Sequence, residues 1–378
     1  MAALTDEQTI LKDQASAWAT EQAPIEKFRE MRDANGGIGY STETWQEIVD
    51  MGWTGILVPT EYGGADLGYL TFGIVLEELG RQLTASPLFA SSLVGTSAIL
   101  ISGTDQQKQE LLPKVVDGTE LLTLAVDESP HHAPSKISLT AEEKGNTFAL
   151  NGKKTFVLDG ISATTFIVVA RTKGVSGDTH GITLFLVDAN ATGLSRHNLK
   201  TVDSRGYANI NFENVIVSRE SILGTLNEGN ETLENTLDRA RAGLGADMLG
   251  TAAQSFDMTL EYLKTREQFG RVIGSFQALG HRAASLFSNM ELARSCAEAA
   301  LQAIDDEKEN ASQLCSMSMV KVGDFLHEMS NQLIQIHGGI GMTDEFNAGF
   351  YLKRARVLEA LFGNQAYHRD RYATLMGF

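Results

Sequence analysis

The chain has 378 residues, 43% hydrophobic and 21% charged, the size and composition of a globular protein of two or three domains with a substantial core. Its 31 basic and 48 acidic side chains leave a formal charge of −17, which argues against nucleic-acid binding, because phosphate contacts need clustered Lys and Arg. An anionic small ligand at a local basic patch remains compatible with that balance. Cys296 and Cys315 fall in helix-like segments without metal-ligand spacing, so reduced thiols and no metal are expected. Met1 to Thr5 lacks the basic and apolar regions of a signal peptide, and no run of 18 apolar residues occurs. The expectation is therefore no membrane span and a cytoplasmic protein.

Residues 1–120 read as a helical domain. Thr5-Asp6-Glu7-Gln8 and Thr104-Asp105-Gln106-Gln107 both fit a capping box. Gly52 and Gly80 each follow an amphipathic run and are read as C-caps, while Val58 to Gly64 is turn-rich. Residues 121–227 change to short β-branched runs bounded by Gly, Asp and Asn. Asn151-Gly152, between Phe148-Ala149-Leu150 and Thr155-Phe156-Val157-Leu158, carries the strongest hairpin signal, and Asp159-Gly160 marks a second turn. From 228 to 378 the helical period returns in three long runs, Glu231 to Arg266, Phe276 to Asp306 and Ser312 to His337, as in an up-and-down bundle. The expected fold is mainly α with a central β domain: an N-terminal helical domain, a β-barrel-like middle domain and a C-terminal four-helix bundle.

The segment Tyr262 to His281 carries the most chemistry. Gly270 and Gly274 break one helix and let the next begin, leaving Arg266 near a helix C-terminus and Gln277 in the first turn of the following helix. An arginine and an amide at such a junction can bind a phosphate and a polar ring, or Arg266 can simply cap carbonyls.

The string Arg-x-Gln-Phe-Gly-x-x-Ile-x-x-Phe-Gln-x-x-x-His in that segment resembles the most recognisable motif of the acyl-CoA dehydrogenases. The resemblance implies that Arg266 contacts the FAD pyrophosphate and that Phe269 and Gln277 help hold the cofactor, usually one bound at a neighbouring subunit. A second string, Gln335-Ile336-His337-Gly338-Gly339-Ile340-Gly341, is similar to the family's adenosine-binding loop, where Gly338 and Gly339 let backbone approach a dinucleotide closely. Leu57-Val58-Pro59 and Tyr62-Gly63-Gly64 extend the resemblance into the first region.

The family reaction is α,β-dehydrogenation of an acyl-CoA thioester: a carboxylate takes the α-proton and the β-hydrogen leaves as hydride to the flavin. The resemblance implies an acyl-CoA substrate, an electron-transfer acceptor protein, and a homotetramer or a heterotetramer with a paralogous subunit. Asp238 and Arg241 match positions that contact coenzyme A or organise its site. Asn364 stands where the family has a Thr near the cofactor.

Departures cluster on the reacting end. The family's Glu-Gly-Thr string is Phe362-Gly363-Asn364 here, and the alternative base position on the long helix is Ala240. The family's Trp-x-Thr is Phe156-Val157-Leu158. Its Thr-Glu-Pro loop is represented by Val126-Asp127-Glu128-Ser129-Pro130, with no Gly-Ser-Asp following. Asp247 lies seven residues, two helical turns and about 10 Å, beyond Ala240 on the same helix face; it is the candidate base or a polar contact to a neighbouring helix. Glu359 and Glu128 are weaker candidates. Two readings follow: an FAD-dependent acyl-CoA dehydrogenase with Asp247 as an atypical base, or a non-catalytic, FAD-clamping subunit of a heteromeric acyl-CoA dehydrogenase of the kind that acts on bulky acyl groups such as steroid side chains.

Overall fold

A computed structural model describes residues 4–34 and 37–378. The elements run α1 (Asp6–Glu21), α2 (Ile25–Asp33), α3 (Thr42–Asp50), α4 (Gly68–Arg81), α5 (Thr96–Ser102) and α6 (Asp105–Val116). The strands follow: β1 (Leu122–Ala125), β2 (Thr140–Lys144), β3 (Thr147–Val157), β4 (Thr165–Arg171), β5 (Ile182–Asp188), β6 (Leu194–Asn198), β7 (Ala208–Ser218) and β8 (Ile222–Leu223). The rest is α7 (Asn230–Thr265), a small hairpin of β9 (Glu267–Gln268) and β10 (Arg271–Val272), then α8 (Gln277–Asp305), α9 (Ala311–His337), α10 (Ala348–Leu358) and α11 (Gln365–Leu375). The three long helices thus begin and end within a residue of the runs read from the sequence. Both capping boxes form: Thr5 and Gln8, and Thr104 and Gln107, bond each other's backbone N–H.

By contacts the chain groups into two compact units, and the first sequence region contributes to both. A helical unit comprises the residues up to Arg29, Tyr69–Thr84 and Arg241–Phe378; a sheet unit comprises Glu30–Gly68 and Ala85–Ala240.

In the sheet unit the strand order is β6-β7-β3-β2-β4-β5-β8, with β1 paired in parallel to β4. The sheet does not close on itself, so the barrel-like expectation is corrected to an open sheet. The reason lies in its ends: among the described residues β6 bonds only β7 and the two-residue β8 only β5, so no ladder joins them. One face buries Phe148, Phe166, Phe185, Ile210 and Phe212 in a common core, with the Phe148 and Phe185 rings 5.1 Å apart. The Asn151-Gly152 hairpin is also corrected. β3 runs straight through it, with a register irregularity against β7 between Leu150 and Gly152. The Asn151 side chain accepts the Asn214 N–H at 2.8 Å, so the pair makes a bulge. The turn into β3 is instead Gly145-Asn146, between the paired Lys144 and Thr147.

In the helical unit α8 packs on α9, and α9 on α10 and α11. Cys315, Met319, Val322, Leu326, Met329 and Leu333 form the buried stripe of α9 at helical spacing. Gly52 takes the left-handed C-cap conformation, φ 74°, but Gly80 does not end its helix. It lies inside α4, where a Cβ would stand 2.6 Å from the Asp247 carbonyl oxygen, while Gly250 on α7 would meet the Glu77 carbonyl oxygen at 1.9 Å. The two helices therefore touch backbone to backbone, and glycine is required by space. Gly80→Ala is expected to lower stability by about 1–3 kcal/mol through overpacking, read as a lower urea midpoint at unchanged m-value. Among the described residues no helix is long and apolar enough to cross a membrane.

Candidate functional site

The corner after α7 builds a groove in the helical unit. The Arg266 N–H closes the last turn onto the Tyr262 carbonyl at 2.9 Å, and the chain then folds back through β9 and β10. The hairpin turn is Phe269-Gly270, both at positive φ (55° and 78°). Phe269 is 90% exposed, so neither burial nor backbone preference accounts for a phenylalanine there. Its ring meets Phe276 edge-on at 6.1 Å, and the Arg271 guanidinium lies 4.0 Å over Phe276. A groove of about 410 Å³ results, lined by Tyr262, Arg266, Gln268, Phe269, Ile273, Phe276, Leu279 and Ile336.

Arg266 and Phe269 thus face the groove. Gln277 and Gln335 are the exposed sequence neighbours of its lining residues Phe276 and Ile336. The glycine turn follows α9 directly. Gly338 adopts φ 60°, ψ −132°, a conformation suited to glycine, and a Cβ at Gly338 or Gly339 would meet nothing within 4 Å. The chain's own packing does not require a small residue at 339; bare, exposed backbone is what the turn offers a ligand. Aromatic walls, one guanidinium and accessible backbone fit the nucleotide half of a dinucleotide: a planar ring against the walls and a phosphate on Arg266. Asn364 does not line this groove. It caps α11, accepting the Tyr367 N–H at 2.9 Å.

The Phe362-Gly363-Asn364 loop carries an aromatic ring. Phe362 is buried at φ 51°, followed by Gly363 at φ 106°. The Phe362 carbonyl accepts from the fully buried His368 Nε2 at 3.0 Å, which holds an otherwise unfavourable backbone in place. Arg241, buried on α7, directs Nη2 to the Tyr367 hydroxyl at 3.4 Å. Asp238, three residues earlier on α7, is buried as well, and so is Ala240.

Each candidate carboxylate is engaged with a cation. Asp247 Oδ2 accepts from Arg354 Nη2 at 2.7 Å, and both side chains are largely buried. Glu359 lies between Arg356 at 2.7 Å and His327 at 3.0 Å. In the sheet unit Glu128 accepts from the Lys154 ammonium at 2.8 Å and from the N–H groups of Ser138 and Leu139 at 2.8 and 3.0 Å. Burial pulls the Lys154 pKa down, and Glu128 opposes that pull. A carboxylate so engaged must give up its ion pair to accept a proton.

The loop that stands for Thr-Glu-Pro bonds to itself. Asp127 accepts from the Ala133 N–H at 3.0 Å and its other oxygen lies 2.9 Å from His132 Nδ1. Phe156 stacks on Tyr207 with centroids 4.4 Å apart. The groove walls Tyr262, Phe276 and Ile336 were given no role by sequence reasoning, although all three lie within the quoted motifs. The ion partners Arg354 and Lys154 carried no local signal, since both are distant in sequence from the acids they meet, whereas Arg356 lies three residues before Glu359.

Family models for the acyl-CoA dehydrogenase N-terminal, middle and C-terminal domains match residues 5–119, 131–215 and 227–376. The chain belongs to the acyl-CoA dehydrogenase family. These are FAD-dependent oxidoreductases acting on CH–CH groups. The chain is 31% identical to the mitochondrial 2-methylacyl-CoA dehydrogenase of Solanum tuberosum over 373 residues, 97% of this chain and 89% of that one. It is 32% identical to the 3-(aryl)acrylate reductase of Clostridium sporogenes over 328 residues, covering 84% and 86%. The solved steroid acyl-CoA dehydrogenase Tcur3481-Tcur3483 superposes with a TM-score of 0.89 at 29% identity, covering 98% of each chain. In this acyl-CoA dehydrogenase homologue Arg266 and Phe269 line an open groove, while Ala240 and Phe362 are buried apolar side chains.

Proposed function

We propose that this chain is the FAD-clamping partner in a heteromeric acyl-CoA dehydrogenase whose paralogous subunit supplies the catalytic base. The observation that carries this reading is the commitment of Asp247, Glu359 and Glu128 to ion pairs, taken together with the open groove around Arg266. In that assembly Arg266 pairs with the pyrophosphate of FAD, Phe269 and Gln277 pack and bond the cofactor, and Gln335, Gly338 and Gly339 border its adenosine. FAD, when bound, supplies the hydride acceptor, and an electron-transfer protein reoxidises it. Asp238 and Arg241 organise the coenzyme A end, and a bulky acyl group such as a steroid side chain is the substrate class we favour, in line with the steroid enzyme among its relatives. A tetramer of two subunit types meets these requirements.

The test is to purify the chain alone and with a co-expressed paralogue that carries the Glu-Gly-Thr string, then compare visible spectra and turnover of an acyl-CoA panel with an artificial acceptor. The chain alone is expected to be colourless and inactive, and the complex yellow and active. A yellow chain that turns over acyl-CoA by itself, with activity lost in a folded Asp247→Asn variant, would establish the other reading, in which Asp247 is the base.

A further inference from the structure

His337 ends α9 immediately before the glycine turn, and its ring joins three elements. Tyr262, a wall of the groove on α7, lies against it with centroids 4.2 Å apart; Phe346, beyond the glycine turn, covers it at 4.6 Å. Gly341 closes the packing, since a Cβ there would stand 3.1 Å from the His337 Cβ. The residue is 3% exposed. Nδ1 lies 2.7 Å from the Leu333 carbonyl oxygen, so Nδ1 carries the proton and donates, and Nε2 is the bare nitrogen. Nε2 is buried and has no hydrogen-bond partner among the described residues.

We propose that His337 is the positioning residue of the groove: uncharged, it locks the Tyr262 wall to the glycine turn, and on protonation it releases both. A proton on Nε2 would create a buried N–H⁺ with no acceptor. Among the described residues, the groups facing the ring offer it no counter-charge. α7 presents the Tyr262 phenol ring, α9 the Leu333 carbonyl already used by Nδ1, and the segment after the turn presents Phe346 and Gly341. The acids of that segment, Asp344 and Glu345, are exposed, and Asp344 pairs with Arg29 at 3.0 Å. Arg266, one turn beyond Tyr262, adds a further cation.

Burial accordingly pushes the imidazole below its ordinary 6.5, against the opposing pull of the Leu333 carbonyl. With the closed-state value depressed, the closed turn is fully favoured above pH 6.5 and loses stability as the pH falls below that value. The opening equilibrium then rises by up to about tenfold per pH unit until the ring's own lower value is reached. The latch acts whichever subunit carries the base, so its failure would be distinct from failure of the clamping role.

Hydrogen–deuterium exchange over residues 337–347 of the purified full chain, corrected for the intrinsic pH dependence of exchange, tests this at about pH 7.5 and about pH 5. Wild type is expected to lose protection at the lower pH, by up to about tenfold for each unit below the ordinary imidazole value. His337→Phe, which keeps a ring but cannot titrate, is expected to keep its protection. Equal pH dependence in both, or none in wild type, overturns the proposal. If His337→Phe does not fold, the carbon-13 histidine titration of wild type decides: a midpoint for His337 at or above the ordinary imidazole value overturns it, and one below supports it.

Discussion

Arg266→Ala, made in this chain and co-purified with the proposed paralogue that carries the Glu-Gly-Thr string, is expected to yield a complex that assembles but has lost most of its FAD. A guanidinium–phosphate hydrogen bond contributes about 1.5–3 kcal/mol, so affinity should fall by about tenfold to a hundredfold. The flavin-to-protein absorbance ratio after gel filtration reads this directly, and added FAD should restore activity in part. Arg266→Lys should be intermediate, because an ammonium keeps the charge but not the planar fork. Nothing in the fold requires Arg266: it is exposed at the end of α7 and lines an open groove. A complex that keeps stoichiometric FAD after Arg266→Ala would remove the clamp from the account of this protein.

The second large effect concerns Asp247. Asp247→Ala takes this carboxylate away from the largely buried Arg354 guanidinium, and breaking such a pair from one side costs about 3–5 kcal/mol. Chemical denaturation of the variant should show that loss, whereas surface acids changed to Ala should stay near wild type. Asp247→Asn, which retains a hydrogen-bonding oxygen for Arg354, should unfold closer to wild type and leave turnover per bound flavin in the complex unchanged. A stable Asp247→Asn complex without turnover would instead make Asp247 the proton acceptor.

Local signals carried the helical parts of the fold. The capping boxes at Thr5 and Thr104 and the 3.6-residue period of the three long helices depend on near neighbours, and the structure follows them to within a residue. The Asn151-Gly152 pair misled for the same reason. Its turn preference is local, but the eleven-residue β3 pairs with β7 from Thr147 to Val157 and with β2 over Thr147–Asn151, and the ladder absorbs the pair as a bulge. Gly80 looked like a helix stop, yet the near contact with Asp247 shows that it is glycine because another backbone passes close by. Closure of the sheet depends on whether its edge strands meet, and no single strand's pattern carries that information.

The sequence by itself determined the family, and its motif positions are what pointed to Arg266 for the FAD corner and to Ala240 and Phe362 in place of the customary bases, because each is a matter of which residue stands where. Only the tertiary structure decided what the remaining acids do. Asp247 meets Arg354 across 107 residues of chain and Glu128 meets Lys154 across 26. Whether a carboxylate is free to accept a proton depends on the cation that folding brings beside it, and that pairing is set by packing between elements rather than by spacing along the chain.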